Sequence, residues 1–478
     1  MYYTLLNFSG SFAFNFILLI AYLNFIVNRF IKSFTFIIFG SVHLNIGFMN
    51  KQTLRFILFS VFPFLIFNQC SVSYKVKKNP DGLIHGFVAP GFEEVKEEFV
   101  RNFTKRGENG AACAIYYKGE KVVDLWGGYK DALTKEPWEE DTKVIVFSTT
   151  KGLAALCLAM ANSNGWLDYN EKVSAYWPEF AQNGKENITV KQLLAHEAGL
   201  CLVDEIFTID SLANFDYIAQ VMARQKPLWE PGYQHGYHLS TMGMYMNELM
   251  RRADPQGRTI GRFFAEEFAQ ALNLNFYIGL PDSIPDEQLA KVILPSIGEF
   301  IFNMGKMPRK MRKDLRNRKS VLAQSFNIPE KFHPNDETTH RVEMPSGNGI
   351  GDARSIAKLY SIFADGATEL GFGNKTFELL KQNAEIPPAG PFDVIMGLDT
   401  YFAYGFLKPG PDLLYGNNQQ VFGTPGAGGS YGFADPKHQI GYAYIMTKMG
   451  VYLVNDPREV ALRKAMYRCV ERIEKSSK

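Results

Sequence analysis

The feature that most constrains this chain is the stretch 144–155, in which an apolar, β-branched run ends at a serine. Lys151 follows Ser148 by three residues, at the point where an alanine- and leucine-rich helical pattern begins. Residues at positions i and i+3 share one face of a helix. The first helical turn also offers free backbone N–H groups and the positive dipole end, which favour developing negative charge. The pattern therefore predicts a nucleophilic serine beside an amine at the start of a buried helix.

The lysine suggests how such a serine becomes reactive. An amine accepts the proton of a serine hydroxyl when burial and nearby cations lower the pKa of the lysine. Ser-x-x-Lys is the first motif of β-lactamases and penicillin-binding proteins. A match arises by chance about once or twice in a chain of this length, and Ser355-Ile356-Ala357-Lys358 is a second one. We expect Ser355 to lie inside a running helix, with its hydroxyl facing neighbouring carbonyl groups.

Composition narrows the classes to which the 478-residue chain can belong. It is 46% hydrophobic and 21% charged, as in ordinary globular proteins, and its net charge of +2 provides no global field for nucleic acid. The cysteines match neither a zinc site nor a disulfide framework, so Cys113 and Cys157 are predicted to be core residues. The run from Gly347 to Gly351 lacks the context of a dinucleotide site. We therefore expect no metal, no cofactor and no nucleic-acid partner.

The first 80 residues differ from the rest because they contain no Asp or Glu. Residues 11–27 are nearly long enough to span a bilayer, whereas residues 56–67, just after Met49, have the length of a signal-peptide core. Two alternatives stay open: translation starts at Met49 and the protein is secreted or lumenal, or the longer form is anchored in a membrane. Residues 1–80 are thus predicted to be a hydrophobic leader and linker. Glycosylation tripeptides, which agree with secretion but often arise by chance, begin at Asn102, Asn187 and Asn374.

The remainder of the chain shows strand-like patterns at both ends. A helix is predicted near residues 92–106, followed by a hairpin of the strands Ala111–Tyr117 and Lys121–Trp126. After Ser148 a helix is expected to run to about Asn162. The chain closes with a helix that begins at Asp456-Pro457. Late strand-like segments cover about 401–407, 430–434 and 440–447.

Mostly helical patterns separate the early strands from the late ones. This layout predicts one domain over residues 81–478, whose α/β part is about 81–165 plus 345–478. The helical part is predicted at about 166–344. A cleft between the two parts is the natural place for a site.

Residues 304–319 depart from the even charge distribution, since eight of them are basic and only Asp314 is acidic. Met307, Met311 and Leu315 recur there at helical spacing. Two interpretations stay open. The segment is a solvated helix or lid packed by its methionines, or it is a surface for anionic lipid or an acidic partner.

From Gly86 to the final helix, the chain resembles the serine β-lactamase-like family, in particular its class C β-lactamase and family VIII esterase branch. The matching text includes FSTTKGLAAL, ITVKQLLAHEAGL, PSGNGIGDARSIAKLYS and GAGGSYGFADP. The resemblance implies an α/β (α+β), β-lactamase/transpeptidase-like fold, with an antiparallel sheet flanked by helices and an inserted all-helical region. It also implies a serine hydrolase that acts through a covalent acyl-enzyme.

A tyrosine in a loop of the helical region, often in Tyr-x-Asn, is the family's second motif. Tyr237 is the candidate here, with Tyr233 as the alternative. A lysine ammonium near a phenol lowers the pKa of the phenol, which then accepts the proton of the serine. His196 is predicted to be buried and structural. His235 and His238 flank the tyrosine and are expected more often to be solvated than to tune it.

The third family motif, Lys-Thr-Gly, aligns with Thr424-Pro425-Gly426 on a predicted edge strand, where the missing N–H of proline is tolerated. By the resemblance, the backbone N–H groups of Ala427 and Ser148 form the oxyanion hole. Gly426 lets the substrate approach the backbone, and Thr424 belongs to the same substrate-binding strand. The predicted catalytic residues are Ser148, Lys151 and Tyr237, and the predicted oxyanion and substrate-binding residues are Ala427, Gly426 and Thr424.

Two departures from the family pattern bear on the substrate. Leu239 replaces the asparagine of Tyr-x-Asn, and Thr424 replaces the lysine of the third motif. Both losses weaken amide chemistry more than ester chemistry, because an ester needs less help for its leaving group. We expect a small-molecule ester or amide as substrate, most simply an ester. The alternatives are an inactive scaffold with a binding or assembly role, and a β-lactamase or D-aminoacyl amidase or peptidase.

Overall fold

The structure, a computed structural model, describes residues 82–410, 416, 418–452 and 454–476. The predictions made for the leader therefore lie outside the described residues. In the described part, none of the helices combines the length and the apolarity needed to cross a membrane.

Twelve strands of the described chain form one large and one small sheet. The larger sheet draws its strands from both ends of the sequence, as expected. The strands are β1 (Ile84–Val88), β2 (Gly110–Tyr117), β3 (Glu120–Asp131), β4 (Glu136–Pro137), β5 (Val144–Ile145), β6 (Phe276–Tyr277), β7 (Ile350–Gly351), β8 (Phe402–Ala403), β9 (Phe406–Leu407), β10 (Phe422–Pro425), β11 (Tyr431–Asp435) and β12 (Ile440–Met446).

The helices cover both faces of the larger sheet and fill the interval between the early and late strands. They are α1 (Glu93–Lys105), α2 (Thr149–Ser163), α3 (Val173–Tyr176), α4 (Val190–Leu194), α5 (Phe215–Arg224), α6 (Thr241–Ala253), α7 (Ile260–Phe263), α8 (Ile297–Asn303), α9 (Arg309–Arg316), α10 (Val321–Ser325), α11 (Glu337–Arg341), α12 (Ala353–Ala364), α13 (Asn374–Lys381) and α14 (Pro457–Ser476). A π-helical stretch, Phe264–Gln270, continues α7, and 3₁₀ turns occur at Pro178–Phe180, Asp210–Ala213, Asp286–Gln288, Met304–Lys306, Thr368–Leu370 and Ala427–Gly429.

The larger sheet is antiparallel, in the order β1-β3-β2-β12-β11-β10-β9-β8, with β4 paired to β3. Strand β2 lies beside β12 along its whole length, so the two ends of the chain meet at the centre of the sheet. Alternate side chains of a strand point to opposite faces. Ala112 and Ala114 pack with α2 and α12 on one face, whereas Cys113 and Ile115 pack with α1 and α14 on the other. The central strands are therefore covered on both sides.

Helix α2, which follows the serine, is buried on every side from Thr149 to Ala161. It lies between strand β10 and helix α6, which belongs to the helical interval. Its leucines, Leu153, Leu156 and Leu158, are fully buried, and burial of each such side chain contributes about 1.5–3 kcal/mol. The first turn of this helix is thus held rigidly between the sheet and the helical interval.

Most local predictions agree with these elements. The helix near 92–106, the β2–β3 hairpin and the final helix occur where the patterns indicated, and Cys113 and Cys157 are buried. The helical interval is more irregular than expected. Most of its helices are short, and it contributes strand β6 to the small sheet β5-β7-β6. The boundaries between the α/β and helical parts stay a prediction.

Candidate active site

Ser148 stands at a sharp turn between strand β5 and helix α2. Phe147, directly before it, has a φ of 50°, in the left-handed region that costs a non-glycine residue about 1 kcal/mol or more. Ser148 itself is in the right-handed helical region and immediately precedes the first residue of the helix. The half-exposed hydroxyl is therefore held at the end of a rigid helix, as the sequence predicted.

Lys151 is buried one turn further along, with only 1% of its surface exposed. Its Nζ lies 2.7 Å from the carbonyl oxygens of both Leu239 and Ser346, and 3.3 Å from Oγ of Ser148. Burial lowers the pKa of Lys151 to about 7, as expected for a lysine that accepts the proton of a serine. A neutral amine has two N–H donors and one lone pair. Because the two carbonyls take both donors, the lone pair is left for the serine hydroxyl.

Tyr237 completes the group. Nζ of Lys151 lies 5.0 Å from the centre of the Tyr237 ring, and the phenol is close enough to the Ser148 side chain for that side chain to influence the pKa of Tyr237. Burial raises the pKa of Tyr237 well above its ordinary value of 10. The expectation that the nearby lysine lowers this pKa was therefore wrong. Desolvation of the phenolate raises the pKa, the negative charge of Asp393 adds to this effect, and the Ser148 side chain opposes it only in part.

The loop that carries Tyr237 is held by Asp393, a residue that the sequence reasoning missed. The Tyr237 N–H donates to both carboxylate oxygens of Asp393, at 3.2 and 3.0 Å. The N–H groups of Ile395 and Met396 also donate to this carboxylate, each at 2.8 Å. Burial raises the pKa of Asp393 to about 6. The local Asp-turn pattern is common in loops, so nothing in the sequence connected Asp393 with a tyrosine 156 positions away.

Two buried histidines support the same loop. The Leu200 N–H donates to Nε2 of His238, so the proton of His238 is on Nδ1, which donates to the Gly236 carbonyl. The backbone N–H of His238 donates to Nδ1 of His196 at 3.0 Å. Burial lowers the pKa of His196 well below its ordinary value and that of His238 to about 3. Both rings are therefore neutral at physiological pH.

These positions test the histidine predictions directly. His196 is buried as predicted, and the centre of its ring lies 4.9 Å from that of Tyr237. The expectation that His235 and His238 are solvated was wrong, since both are buried. His235 is hydrogen-bonded to Oγ1 of Thr400 at 2.8 Å. The loop is folded into the interior, and the histidine side chains form hydrogen bonds with protein groups instead of with water.

Gly426 places the third motif against the serine turn. A Cβ atom at this position would lie 2.3 Å from the Val146 carbonyl oxygen and 2.2 Å from Oγ of Ser430, so only glycine fits. Ser430 strengthens the contact by donating to the same Val146 carbonyl at 2.7 Å. The segment that begins at Gly426 is therefore fixed beside the turn that carries Ser148.

This contact brings two unused backbone donors into one region. In the residues that the structure describes, the N–H groups of Ser148 and Ala427 donate to no protein group. Free N–H groups beside a nucleophile are the donors from which an oxyanion hole is made. The geometry is thus consistent with the predicted roles of Ala427 and Gly426.

Thr424 is placed differently. Its side chain is buried, its Oγ1 has no hydrogen-bond partner, and a Cβ atom on Gly152 would meet that oxygen at 2.8 Å. This position, beneath helix α2, favours a packing role over the predicted substrate contact. Strand β10, which carries the third motif, was expected at the edge of the sheet, but it lies between β11 and β9. Strand β9 follows it but pairs only at Gly423, so the far side of Pro425 is free of ladder hydrogen bonds.

The second Ser-x-x-Lys match has no such surroundings. Ser355 lies in the first turn of α12, and its hydroxyl accepts the Asn275 N–H at 2.7 Å rather than facing carbonyl groups as expected. Lys358 donates to the Leu272 carbonyl. Among the described residues, no hydrogen bond joins the Ser355 and Lys358 side chains, and each has a structural partner elsewhere. Across the described ranges, no cluster of His, Cys, Asp and Glu has the arrangement of a metal site.

Comparison with known proteins gives matches over most of the chain. The family model described as Beta-lactamase matches residues 96–465. A curated relative, Esterase/beta-lactamase LipL of Mycobacterium tuberculosis (strain ATCC 25618 / H37Rv), is 28% identical over 376 residues, which cover 77% of this chain and 83% of LipL.

Two solved structures are similar in both sequence and fold. A family VIII carboxylesterase is 35% identical with a TM-score of 0.70, and a penicillin-binding protein homolog from Caulobacter crescentus is 33% identical with a TM-score of 0.71. Each covers 81% of this chain and 99% of its own. These matches confirm the predicted fold class, an antiparallel sheet with helices of the β-lactamase/transpeptidase type.

Proposed function

We propose that this chain, which belongs to the Beta-lactamase family as its motifs predicted, is a serine hydrolase that cleaves esters through an acyl-enzyme on Ser148. The observation that carries the proposal is the position of Lys151. Its buried Nζ donates to two carbonyl groups and lies 3.3 Å from Oγ of Ser148. An amine so placed, with a pKa of about 7, is neutral in a large fraction of molecules at physiological pH.

In the first step, Lys151 accepts the proton of Ser148 while Oγ attacks the carbonyl carbon of the ester. The carbon–Oγ bond forms, and the carbonyl electrons move to the oxygen, where the N–H groups of Ser148 and Ala427 stabilise the charge. When the tetrahedral intermediate collapses, the bond to the leaving alcohol breaks. The proton returns from Lys151 to the leaving oxygen, with the Tyr237 hydroxyl placed to relay it.

The second step reverses this sequence with water. Lys151, again neutral, accepts a proton from a water molecule that attacks the acyl carbon. The bond from the carbon to Oγ of Ser148 breaks, the serine recovers its proton and the carboxylic acid leaves. The raised pKa of Tyr237 keeps the phenol neutral in both steps, so it donates and accepts hydrogen bonds without becoming a permanent base.

Two observations support an ester over an amide. Leu239 contributes only its backbone carbonyl to the site, as an acceptor for Lys151, where the family pattern has an asparagine side chain. No cation stands at position 424, because that side chain is a buried threonine. The names of the carboxylesterase structure and of Esterase/beta-lactamase LipL agree with this substrate class. Hydrolysis of β-lactams or amides is the weaker candidate.

An active-site probe tests the proposal with a matched control in the same chain. A fluorophosphonate probe should label the wild type and the Ser355→Ala variant, but not the Ser148→Ala variant. The control removes a serine with the same Ser-x-x-Lys spacing, at a place where it is structural. A wild type that stays unlabelled and hydrolyses no short-chain ester would overturn the enzyme proposal in favour of a scaffold role.

For the location, we propose that the protein is secreted or lumenal, or anchored by its N-terminal segment. The hydrophobic, acid-free leader supports this proposal. Asn187 and Asn374 are exposed and accessible to glycosylation, whereas Asn102 is buried and donates to the Arg458 carbonyl. Mapping of the mature N-terminus tests the alternatives. An N-terminus near Ser71 supports the secreted form, and an intact leader supports the anchored form.

A further inference from the structure

Residues 294–326, which we call the rim segment, combine exposed apolar side chains with a high positive charge. Five of the twelve large hydrophobic side chains that are exposed in the described chain fall within this segment. Ile297 and Ile301 on helix α8 are 40% and 50% exposed, and Phe326 after helix α10 is 54% exposed. Exposed apolar groups concentrated in one place usually mark a binding surface.

Helix α9, in the middle of the rim segment, separates its two faces clearly. Met311 is buried in the apolar cluster that also contains Tyr237, and Leu315 packs against that cluster. The opposite positions carry Arg309, Arg312, Lys313 and Arg316, which are exposed or half-exposed. These four cations form no ion pair with any residue that the structure describes, whereas Lys310 is paired with Asp314. The outward face is therefore positive and uncompensated.

The beginning of the rim segment is joined to the oxyanion side of the site. Met449 donates its N–H to the Ile293 carbonyl, and Lys448 pairs with Glu299 of helix α8 at 3.0 Å. The same loop returns to the motif strand, where the Gly450 N–H donates to the Gly428 carbonyl. Helix α8 is thus connected to the Ala427–Gly429 turn through this loop, by an ion pair at one end and a backbone hydrogen bond at the other.

Helix α9 is joined to the tyrosine side. Gly397, with a φ of 76°, lies under Lys310, whose Cβ would be 2.8 Å from a Cβ added to the glycine. The Gly397 N–H donates to the Asp393 carbonyl, and the carboxylate of Asp393 holds the Tyr237 backbone. The rim segment is therefore linked, through these contacts, to the loops that carry the tyrosine and the oxyanion side of the site.

We propose that the rim segment is a docking surface for anionic lipid, and that the enzyme acts on acyl esters presented at that lipid surface. Exposed Lys and Arg side chains attract anionic headgroups, and neighbouring aliphatic and aromatic side chains enter the headgroup–acyl boundary. The second part of the proposal rests on the esterase function. The first part concerns binding alone and stands independently of catalysis.

The arrangement fits a lipid surface better than a solvated helix or an acidic protein. Met311 of helix α9 and Met307 before the helix already pack inward. The exposed Ile297, Ile301 and Phe326 are therefore additional apolar surface that solvation does not explain. Interfaces between proteins concentrate apolar groups at a core depleted of charge. Here the cations of helix α9 lie, along the chain, between exposed apolar side chains on helix α8 and after helix α10, a combination that suits the boundary between headgroups and acyl chains.

The test measures docking at this segment itself, so that attachment through the leader does not obscure it. The full chain carries Ser148→Ala and Cys70→Ser, and Ile301→Cys is labelled with a dye that reports apolar surroundings. The cysteines at 113, 157, 201 and 469 are buried, which protects them from labelling. A matched protein carries the dye at Leu133→Cys, which is 82% exposed outside the rim segment.

Phosphatidylcholine vesicles that contain phosphatidylserine should shift the emission of the dye at position 301, but not at position 133. Each cation near an anionic surface strengthens binding by about fivefold. Replacing Arg309, Arg312, Lys313 and Arg316 with Gln should therefore weaken the vesicle affinity by about two orders of magnitude or more. The charge-matched control, with Lys105, Lys135, Lys226 and Lys464 changed to Gln, should retain the affinity.

Several outcomes would overturn the docking proposal: no shift with anionic vesicles, equal shifts at both dye positions, or equal losses in the two charge variants. A shift with soluble polyglutamate but not with vesicles would assign the surface to an acidic protein instead. Hydrolysis of a soluble short-chain ester by proteins that retain Ser148 is measured separately. It should survive the four arginine and lysine changes, and its absence in the wild type would count against the esterase function, not against docking.

Discussion

The pH dependence of ester hydrolysis distinguishes Lys151 from Tyr237 as the group that accepts the serine proton. Burial lowers the pKa of Lys151 to about 7 and raises that of Tyr237 far above the physiological range. A base acts only in its deprotonated form. If Lys151 is the base, kcat/KM follows the neutral fraction of the lysine and levels off above pH 8.

The size of the effect follows from this pKa. The neutral fraction is about one tenth at pH 6, one half at pH 7 and nine tenths at pH 8. We therefore expect kcat/KM to rise about fivefold between pH 6 and pH 7 and less than about twofold between pH 7 and pH 8. A tyrosine base would instead give a rate that continues to rise with pH through pH 10.

The perturbation is Tyr237→Phe, which removes the hydroxyl beside the Ser148 side chain but leaves the lysine in place. Loss of a proton relay lowers the rate by about 10²–10⁴-fold, whereas the midpoint of the profile should stay near pH 7. The assay is kcat/KM for a soluble short-chain ester from pH 5.5 to 9.5, with protein integrity checked by circular dichroism. A wild-type midpoint above pH 9, or a Tyr237→Phe profile that loses its midpoint, would refute the lysine assignment.

Further predictions concern residues around the site. Asp393→Asn should lower kcat/KM about tenfold by weakening the charge-assisted anchor of the Tyr237 loop, but should leave the pH midpoint near 7; a displaced midpoint would show that Asp393 is the titrating group. Gly426→Ala should abolish probe labelling at Ser148 because its Cβ would meet the Val146 carbonyl, whereas Gly298→Ala, in open space on helix α8, should label normally. Lys408 is buried, and its pKa is lowered to about 7. The unfolded chain therefore binds more protons than the folded chain between pH 7 and 10.5, so stability contributed at this position rises with pH across that window. Lys408→Met should raise the free energy of unfolding most at pH 7 and least at pH 10, with a difference of at most about 5 kcal/mol between the ends of the window. Urea unfolding at both pH values measures this difference, and a variant advantage that grows with pH would contradict it.

The nucleophile and its helix could be predicted from sequence because their signals are local. A β-branched run, a serine and an alanine-rich helix lie within twelve consecutive residues, and the structure retains all three. The tyrosine and the glycine-rich strand followed from the resemblance to a family. Their proximity to Ser148 depends on packing between parts of the chain that are far apart in sequence.

The features that sequence reasoning missed are those set by burial. The lowered pKa of Lys151 was expected, but the raised pKa of Tyr237 was not, because the balance between desolvation and nearby charge requires the folded surroundings. The carboxylate of Asp393 and the carbonyl of Ser346 reach the site from distant loops. Thr424 aligned with a substrate-binding residue, yet its side chain lies beneath helix α2. Alignment located the strand but not the direction of that side chain.

The most direct test of the central claim is to trap the acyl-enzyme. The wild-type protein is mixed with a slowly hydrolysed ester, quenched in acid and digested, and the peptides are sequenced by mass spectrometry. We predict an acyl group on Ser148 that is absent after Ser148→Ala and slow to form after Lys151→Met. An acyl group on another residue, or none while the ester is turned over, would contradict the account.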